Sequence, residues 1–523
     1  MSQTLTGPGA RRAARAFPWP LLVILAVQVA LAIPLITSSE IFSDEGLYLY
    51  AGHQMLAHWV HGVPVQDFQT YFSGSPAIYP PLAALADHFG GLAGARTLSL
   101  VFILATTVLL YATTVRLFSR SAGYLAALLF ASLGGTQFLA ALATYDTVSL
   151  FLLAAAVYLA VSSGYREGLS ASMRAFVASP LLVALANAAK YASALWDPIV
   201  IAVIAVAPLL GGERARPAWR HAARYTAVLA TALGAGLLIG NAKYWRGIMD
   251  TTVARTPQQI GVPTPAGIVL HLVWAWIGVV VVLAAVGLLL VLARPHPHRA
   301  PMGVVAAALL AGCVLAPLNQ ARIETSVSLQ KHVVFGAWFG CILAGHAIAS
   351  LATSPLPARA RRVRLAVLAA VFAAAAATVP AAYATQVPQW HQWSAENPAF
   401  ITALKRYTVP GAGRYLIEGH MDITAYYVGD VTSLQWKEAG GDGYDYTDPA
   451  TGQSVTGDAA YQQAVAARVF TLIILDGGEP TDTVIEAAIS ADADYHVIAH
   501  LPPSSTNSSA AYTVWALNPG GNP

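Results

Sequence analysis

The stretch SDEGLYLYAG, residues 43–52, sets two carboxylates, Asp44 and Glu45, directly beyond a long apolar run in a chain that otherwise uses little charge. Two uses fit them. They can open a helix, with Ser43 as its cap and the acids favoured by the positive end of the helix dipole, or they can do chemistry. Asp146, in ATYDTVSLF, begins a later apolar run with Thr144 as an alternative cap, and it admits the same two readings. Cations stand at comparable places: Lys190, Lys243 and Lys331 each lie at or near the end of an apolar run, accompanied by Arg96, Arg246 and Arg322. One terminal lysine is explained by snorkelling to lipid headgroups. Three together argue for an anion-binding cavity, because charge at that depth is costly and lines polar spaces. Carboxylates beside cations suit group transfer, in which one group takes a proton from an acceptor while another stabilises a departing phosphate.

The elements that must position these residues are membrane spans. Of 523 residues, 56% are hydrophobic and 11% charged, and the mean hydropathy is +0.56. A soluble protein of this size carries about a quarter charged residues, so the composition excludes one and implies a polytopic membrane protein. Runs long enough to cross about 30 Å of hydrocarbon give about 11 spans, near 18–36, 95–115, 122–141, 147–163, 176–190, 194–210, 225–242, 266–292, 301–318, 332–351 and 365–384. The opening RRAARAFPWP resembles the charged region of a signal peptide, but the run after it is long and lacks a clear small-residue cleavage site, so it reads as a retained anchor. Arginine clusters at 11–15, 116–120, 166–174, 214–224, 294–299 and 359–364 fall on alternate connections. By the positive-inside rule these face the cytoplasm. The N-terminus is then cytoplasmic, and residues 37–94, the acids and the three lysines above, and everything after 385 lie outside. A net charge of +3 gives no sign of a nucleic-acid partner, and Cys313 and Cys341, both inside apolar runs, form neither a disulfide framework nor a zinc signature.

The outer loop 37–94 is too long for a connector. Leu49, Leu56, Trp59 and Val60 fall on one helical face with His53, His58 and His61 among the polar neighbours, which predicts an amphipathic helix in the interface, and a second short helix is expected after IYPPL. His58 and His61 share a face, but no third ligand stands at a spacing suited to a metal. Residues 385–523 differ in composition: GRYLIEG, RVFTLIILDGG and DYHVIAHLP read as strands and AAYQQAVAA and TDTVIEAAISA as helices, giving a soluble α/β domain. Within it, GGDGYDYTDPATGQ lacks the ligand order of an EF-hand and reads as a solvated loop, and no G-x-G-x-x-G joins a strand to a helix.

An acidic pair followed by an aromatic (DEGLY), a Pro-Pro-Leu element (YPPL), an arginine–serine element opening the second span (GARTLSL), an aspartate at a later outer turn (TYD), and the segments AKYASAL and LQKHVVFGAWF occur in this order. Together they resemble the lipid-dependent glycosyltransferases of the GT-C class, nearest to the protein O-mannosyltransferase and aminoarabinose-transferase group (glycosyltransferase family 39-like), over roughly residues 18–350. The resemblance implies that the membrane part, 1–384, preceding the α/β domain read from composition at 385–523, is a transmembrane catalytic domain, and that it transfers a sugar from a polyprenyl-phosphate donor to an extracytoplasmic acceptor that is a cell-envelope glycan, lipid or protein. Carried over by position, Asp44 is the catalytic carboxylate, Glu45 a supporting acid and Asp146 a second functional carboxylate. Aminoarabinose transferases have a lysine before the Pro-Pro that reaches the donor phosphate, whereas this chain has Tyr79, which can hydrogen-bond a phosphate but not neutralise it. The phosphate contact therefore shifts to Lys190 first and Lys331 beside His332 second, with Arg96 a further candidate. A divalent cation stays open, since related enzymes differ on metal and no sequence site decides it. A transporter or flippase of lipid-linked sugars is the other class; it predicts charged or broken helices near the midplane and repeat symmetry, and neither is detected.

Overall fold

The computed structural model describes residues 19–38, 41–163, 169–210, 218–253, 263–293, 298–353 and, apart from 420, 430, 441–443 and 502–510, residues 398–518, with a few isolated positions besides. Twelve helices precede the C-terminal domain in these stretches: α1 (Trp19–Ser38), α2 (Ser43–His61), α3 (Tyr79–Leu117), α4 (Arg120–Ser132), α5 (Gly134–Ala140), α6 (Tyr145–Ser163), α7 (Leu169–Ala189), α8 (Asp197–Leu210), α9 (Ala218–Ile248), α10 (Ala266–Ala293), α11 (Arg299–Arg322) and α12 (Leu329–Thr353). Among the described residues eight helices are long and apolar enough to cross a membrane, or nine if α4 and α5, bent by 72°, form one broken span. The chain is a multi-pass membrane protein. The expected span at 176–190 falls on a shorter apolar stretch, Val177–Ala189; that at 365–384 lies almost wholly outside the described residues, as does the expected domain boundary at 384/385. Helix α12 is the most enclosed, and its small and aromatic residues, from Phe335 to Ala349, are almost all buried in the centre of the bundle.

Two segments of the first loop carry the site. Helix α2 starts at Ser43, so the residue at its N-cap is Phe42, not Ser43 as the sequence alone implies. It ends where Gly62 takes a left-handed conformation (φ 69°), closing the last turn through its own N–H to the His58 carbonyl. Instead of lying free in the interface, α2 packs on the start of α3, and Gly52 makes this possible: a Cβ there would come within 2.1 Å of the Pro80 carbonyl oxygen. Pro80 and Pro81 sit in the first turn of α3, where a missing N–H costs nothing. The short helix expected after IYPPL is the first part of α3, separated from the expected second span by a break at Gly91, whose φ of 60° and ψ of −164° are open to glycine.

The C-terminal domain comprises α13 (Pro398–Leu404), β1 (Tyr415–Glu418), α14 (Met421–Val428), β2 (Trp436–Ala439), β3 (Asp445–Thr447), β4 (Ser454–Thr456), α15 (Asp458–Ala466), β5 (Leu472–Leu475), α16 (Pro480–Ala491), β6 (Tyr495–Leu501) and β7 (Tyr512–Leu517). Its main sheet has the order β2-β1-β5-β7-β6, with β1 parallel to both neighbours and β7 antiparallel to β5 and β6. The runs YLIE and LIIL are buried along their whole length, as central strands covered on both faces must be. Phe400, Ile401 and Ala425, from α13 and α14, pack on one face; Tyr461, Ala464, Ile485 and Ile489, from α15 and α16, pack on the other. Helix α14 also docks on α2. Ile423 joins the helical core, a Cβ at Gly46 would come within 3.0 Å of its Cγ1, and the Tyr426 hydroxyl donates to Asp87 Oδ1 at 2.8 Å.

Candidate active site

The adjacent acids of α2 separate into two roles because consecutive helix positions point about 100° apart. Glu45 is fully buried. Its Oε2 accepts the Phe42 N–H at 3.0 Å, which caps the helix, and its Oε1 accepts the Ala143 N–H at 2.7 Å. Arg96 completes the arrangement as a fork, its Nε donating to Oε1 at 2.8 Å and its Nη2 to Oε2 at 2.7 Å, with Nη1 directed to the Ile36 carbonyl at 3.3 Å. Thus α1, α2, α3 and the turn before α6 are tied at one buried ion pair. Both oxygens of Glu45 are engaged, and Arg96 is 1% exposed, which leaves neither open to a substrate.

Asp44 turns the other way, to Lys331 at the start of α12, in a close ion pair. Its side chain is 32% exposed while that of Lys331 is 7% exposed, so the carboxylate is the accessible member. Asp146, in the first turn of α6, pairs with Lys190 at 2.5 Å, and both are enclosed. Lys190 sits in extended backbone where α7 gives way to a short 3-10 turn, Tyr191–Trp196. The first loop fixes that point: the Tyr191 N–H donates to the Ser73 carbonyl at 2.9 Å, the Ser75 N–H to the Ala188 carbonyl at 2.7 Å, and a Cβ on Gly74 would lie 2.0 Å from the Ala189 oxygen. The two pairs form one cluster, for Lys331 acts electrostatically on Asp146, and Asp44 on Lys190, as well as on their direct partners. Aromatic rings line it: the Lys190 ammonium lies 5.1 Å from the Tyr145 ring centroid and the Lys331 ammonium 5.6 Å from that of Phe42, with Tyr48 and Tyr145 packed 4.5 Å apart.

The other expected residues lie elsewhere or face other partners. Tyr79 is buried with its hydroxyl 3.0 Å from Ser99 Oγ. His332 follows Lys331 and places Nδ1 3.1 Å from Gln320 Oε1. Lys243 pairs at 2.7 Å with Asp67 on an exposed surface, Arg322 donates to Asn319 at 3.0 Å, and Arg246 is exposed. The counter-ions at Asp44 and Asp146 are ammonium groups; among the described residues the one grouping of three acid or imidazole ligands close enough to share a metal lies in the C-terminal domain. A cavity of about 500 Å³, lined by Leu117, Phe118, Ser119, Arg299 and His346, opens at the far end of α12 from Lys331 and holds none of these groups.

One acid escaped the sequence reading. Asp422, at the start of α14, has an enclosed Oδ1 without a hydrogen-bond partner, and burial, then Glu438 and Asp44, push its carboxyl up to about 7. A carboxyl raised on folding favours the folded state below its unfolded value near 3.8, and that contribution is lost as pH rises through about 7. Docking of α14 on α2 should therefore weaken as pH rises from about 4 to about 7 and level off above that. The protection factors of residues 421–428, exchange corrected for its intrinsic rise with pH, should fall at least ~10-fold across that window, and the fall should vanish in Asp422→Asn. An equal fall in protection in that variant would assign the titration to another group.

No protein-family model and no curated protein matches the chain. Solved structures do. ArnT from Cupriavidus metallidurans bound to undecaprenyl phosphate is similar over 96% of this chain and 98% of that one, with a TM-score of 0.60 at 15% identity, and its apo state gives 0.59 at 14% over 95% and 97%. The archaeal oligosaccharyltransferase AglB from Archaeoglobus fulgidus, in complex with an inhibitory peptide and a dolichol-phosphate, is similar over 96% of this chain and 75% of its own, with a TM-score of 0.54 at 13% identity. From its first described helix to its C-terminal sheet, the chain has the GT-C fold.

Proposed function

We propose that the chain is a membrane glycosyltransferase that moves a sugar from a polyprenyl-phosphate donor to an extracytoplasmic acceptor in the cell envelope. The observation that carries this reading is the cluster of two lysine–carboxylate pairs, Lys331 with Asp44 and Lys190 with Asp146, in a GT-C fold. The undecaprenyl phosphate of ArnT and the dolichol-phosphate of AglB support a polyprenyl phosphate as the lipid here. In the reaction the acceptor heteroatom bonds to the anomeric carbon as the bond from that carbon to the phosphate oxygen breaks. Asp44, the accessible carboxylate, takes the acceptor proton, and the lipid phosphate leaves with the electron pair, held by Lys190 and Lys331. Glu45 and Arg96 act at a distance by fixing α2. The alternation of arginine clusters supports a cytoplasmic N-terminus and an outer C-terminal domain from about 385 onward. Purified protein supplied with a short-chain polyprenyl-phosphate sugar and an acceptor extract should release free polyprenyl phosphate, an outcome that neither a flippase nor a scaffold produces. No release with any donor recovered by lipid extraction and mass spectrometry would overturn the reading.

Lys190→Met tests the phosphate role. The apolar stem is kept and the charge lost, so donor affinity and turnover should fall together by about 10- to 100-fold, equivalent to one charge-assisted contact of about 1.5–3 kcal/mol. The opposing account is that Lys190 only neutralises Asp146. In that case Lys190→Met combined with Asp146→Asn would restore turnover, whereas a phosphate ligand leaves the double variant as slow as the single one.

A further inference from the structure

We propose that the C-terminal domain holds a hard divalent cation of the calcium type between Glu418, Asp476 and Asp482. The three carboxylates come from separate elements that meet at the carboxyl ends of the parallel pair β1 and β5: Glu418 closes β1, Asp476 follows β5, and Asp482 lies in the first turn of α16. One oxygen from each lies within 4.8 Å of the others. Glu418 is 5% and Asp482 2% exposed, so this is an interior grouping and not a solvated acidic patch.

The protein supplies too little positive charge for it. Glu418 Oε2 accepts the Asp476 N–H at 2.7 Å, Asp476 Oδ1 the Gly478 N–H at 2.8 Å, and Asp482 Oδ2 the Glu479 N–H at 3.1 Å. Asp482 Oδ1 is buried with no hydrogen-bond partner, and no ion pair among the described residues joins the three acids to a lysine or arginine. The dipole at the start of α16 offsets part of one charge. The space beside the oxygens is kept by Gly478, where a Cβ would stand 2.8 Å from Asp476 Oδ1 and 3.4 Å from Glu418 Oε1. An all-oxygen donor set without histidine or cysteine selects hard cations, and calcium, with ligands at about 2.3–2.6 Å and a tolerance for irregular geometry, fits oxygens fixed by three separate elements better than magnesium does. A bound ion would clamp α16 to the strand ends without touching the lysine–carboxylate cluster, so it stands or falls independently of the proposed transfer.

Titration of calcium alone into the full-length protein in detergent, followed by calorimetry and by the thermal midpoint, tests this. One calcium should bind per chain and raise the midpoint. Asp482→Asn should weaken binding at least ~10-fold, by loss of one anionic ligand. Asp476→Asn, at a less enclosed position, serves the same purpose if the first variant fails to fold. Gly478→Ala keeps all three charges and should weaken binding by crowding the Asp476 oxygen. Absence of binding at millimolar calcium and pH 8, unchanged affinity in the Asp variants, or binding of magnesium in preference to calcium would each overturn the proposal; the first, with a stabilised Asp482→Asn, would mean that the acids share a proton instead.

Discussion

Replacing Asp44 by asparagine should lower sugar transfer by ~100-fold or more while donor affinity changes little. Asparagine keeps the shape and an acceptor oxygen but is not a base, and positioned general bases contribute about 10²–10⁴ in rate. The exposure of Asp44, 32% against the enclosed Asp146, is the reason the proposed reaction gives it the acceptor proton. Lys331 loses its direct counter-ion in this variant, but Asp146 still acts on the same ammonium, so the fold should persist and the thermal midpoint in detergent should remain near that of the parent. Single-turnover transfer from a short-chain donor separates the chemical step from binding. Turnover near the parent level in Asp44→Asn, together with its abolition in Asp146→Asn, would exchange the roles of the two carboxylates.

What the sequence made legible follows from which constraints are local. Hydrocarbon thickness imposes span length, so the apolar runs that become α1, α6, α10 and α12 are readable one by one. Likewise YLIE and LIIL are legible as strands, whereas their central place in the sheet, buried on both faces, comes from packing. Lys190, Lys331, Asp44 and Asp146 could be singled out as charges at the ends of apolar runs. Their pairing could not, because it is set by packing: Lys331 and Asp44 are separated by 287 positions. Position along the chain also ranked Arg96, Tyr79 and Lys243 beside them, although Tyr79 turns to Ser99 and Lys243 to Asp67. Asp422 carried no signal at all, since α14 reaches α2 only after the C-terminal domain docks, through Ile423 against Gly46. Residue type alone leaves adjacent Asp44 and Glu45 alike and only the resemblance ranks Asp44 first; helical geometry sends one toward Lys331 and the other into the bundle.

That divergence makes a strong stability prediction. Arg96→Met should lower the stability of the bundle by about 3–5 kcal/mol, the usual consequence of removing one member of a buried pair, because Glu45 is left as a buried anion with only the Phe42 and Ala143 N–H groups for compensation. The same pair is replaceable as a unit. Glu45→Gln retains an oxygen for a backbone N–H and fills the same volume without charge, so Glu45→Gln with Arg96→Met should recover most of the loss, as removal of both buried charges often does. Thermal unfolding in detergent, read as a double-mutant cycle, measures the coupling directly. The cycle also separates the architectural role from the phosphate contact that the sequence allowed for Arg96. If Arg96 only holds α2 to α3, the double variant regains transfer along with stability, with an apparent donor affinity close to the parent. If Arg96 instead reaches the donor phosphate during the reaction, stability returns and donor affinity does not, and the buried geometry of the Glu45–Arg96 fork would have to open in the substrate complex.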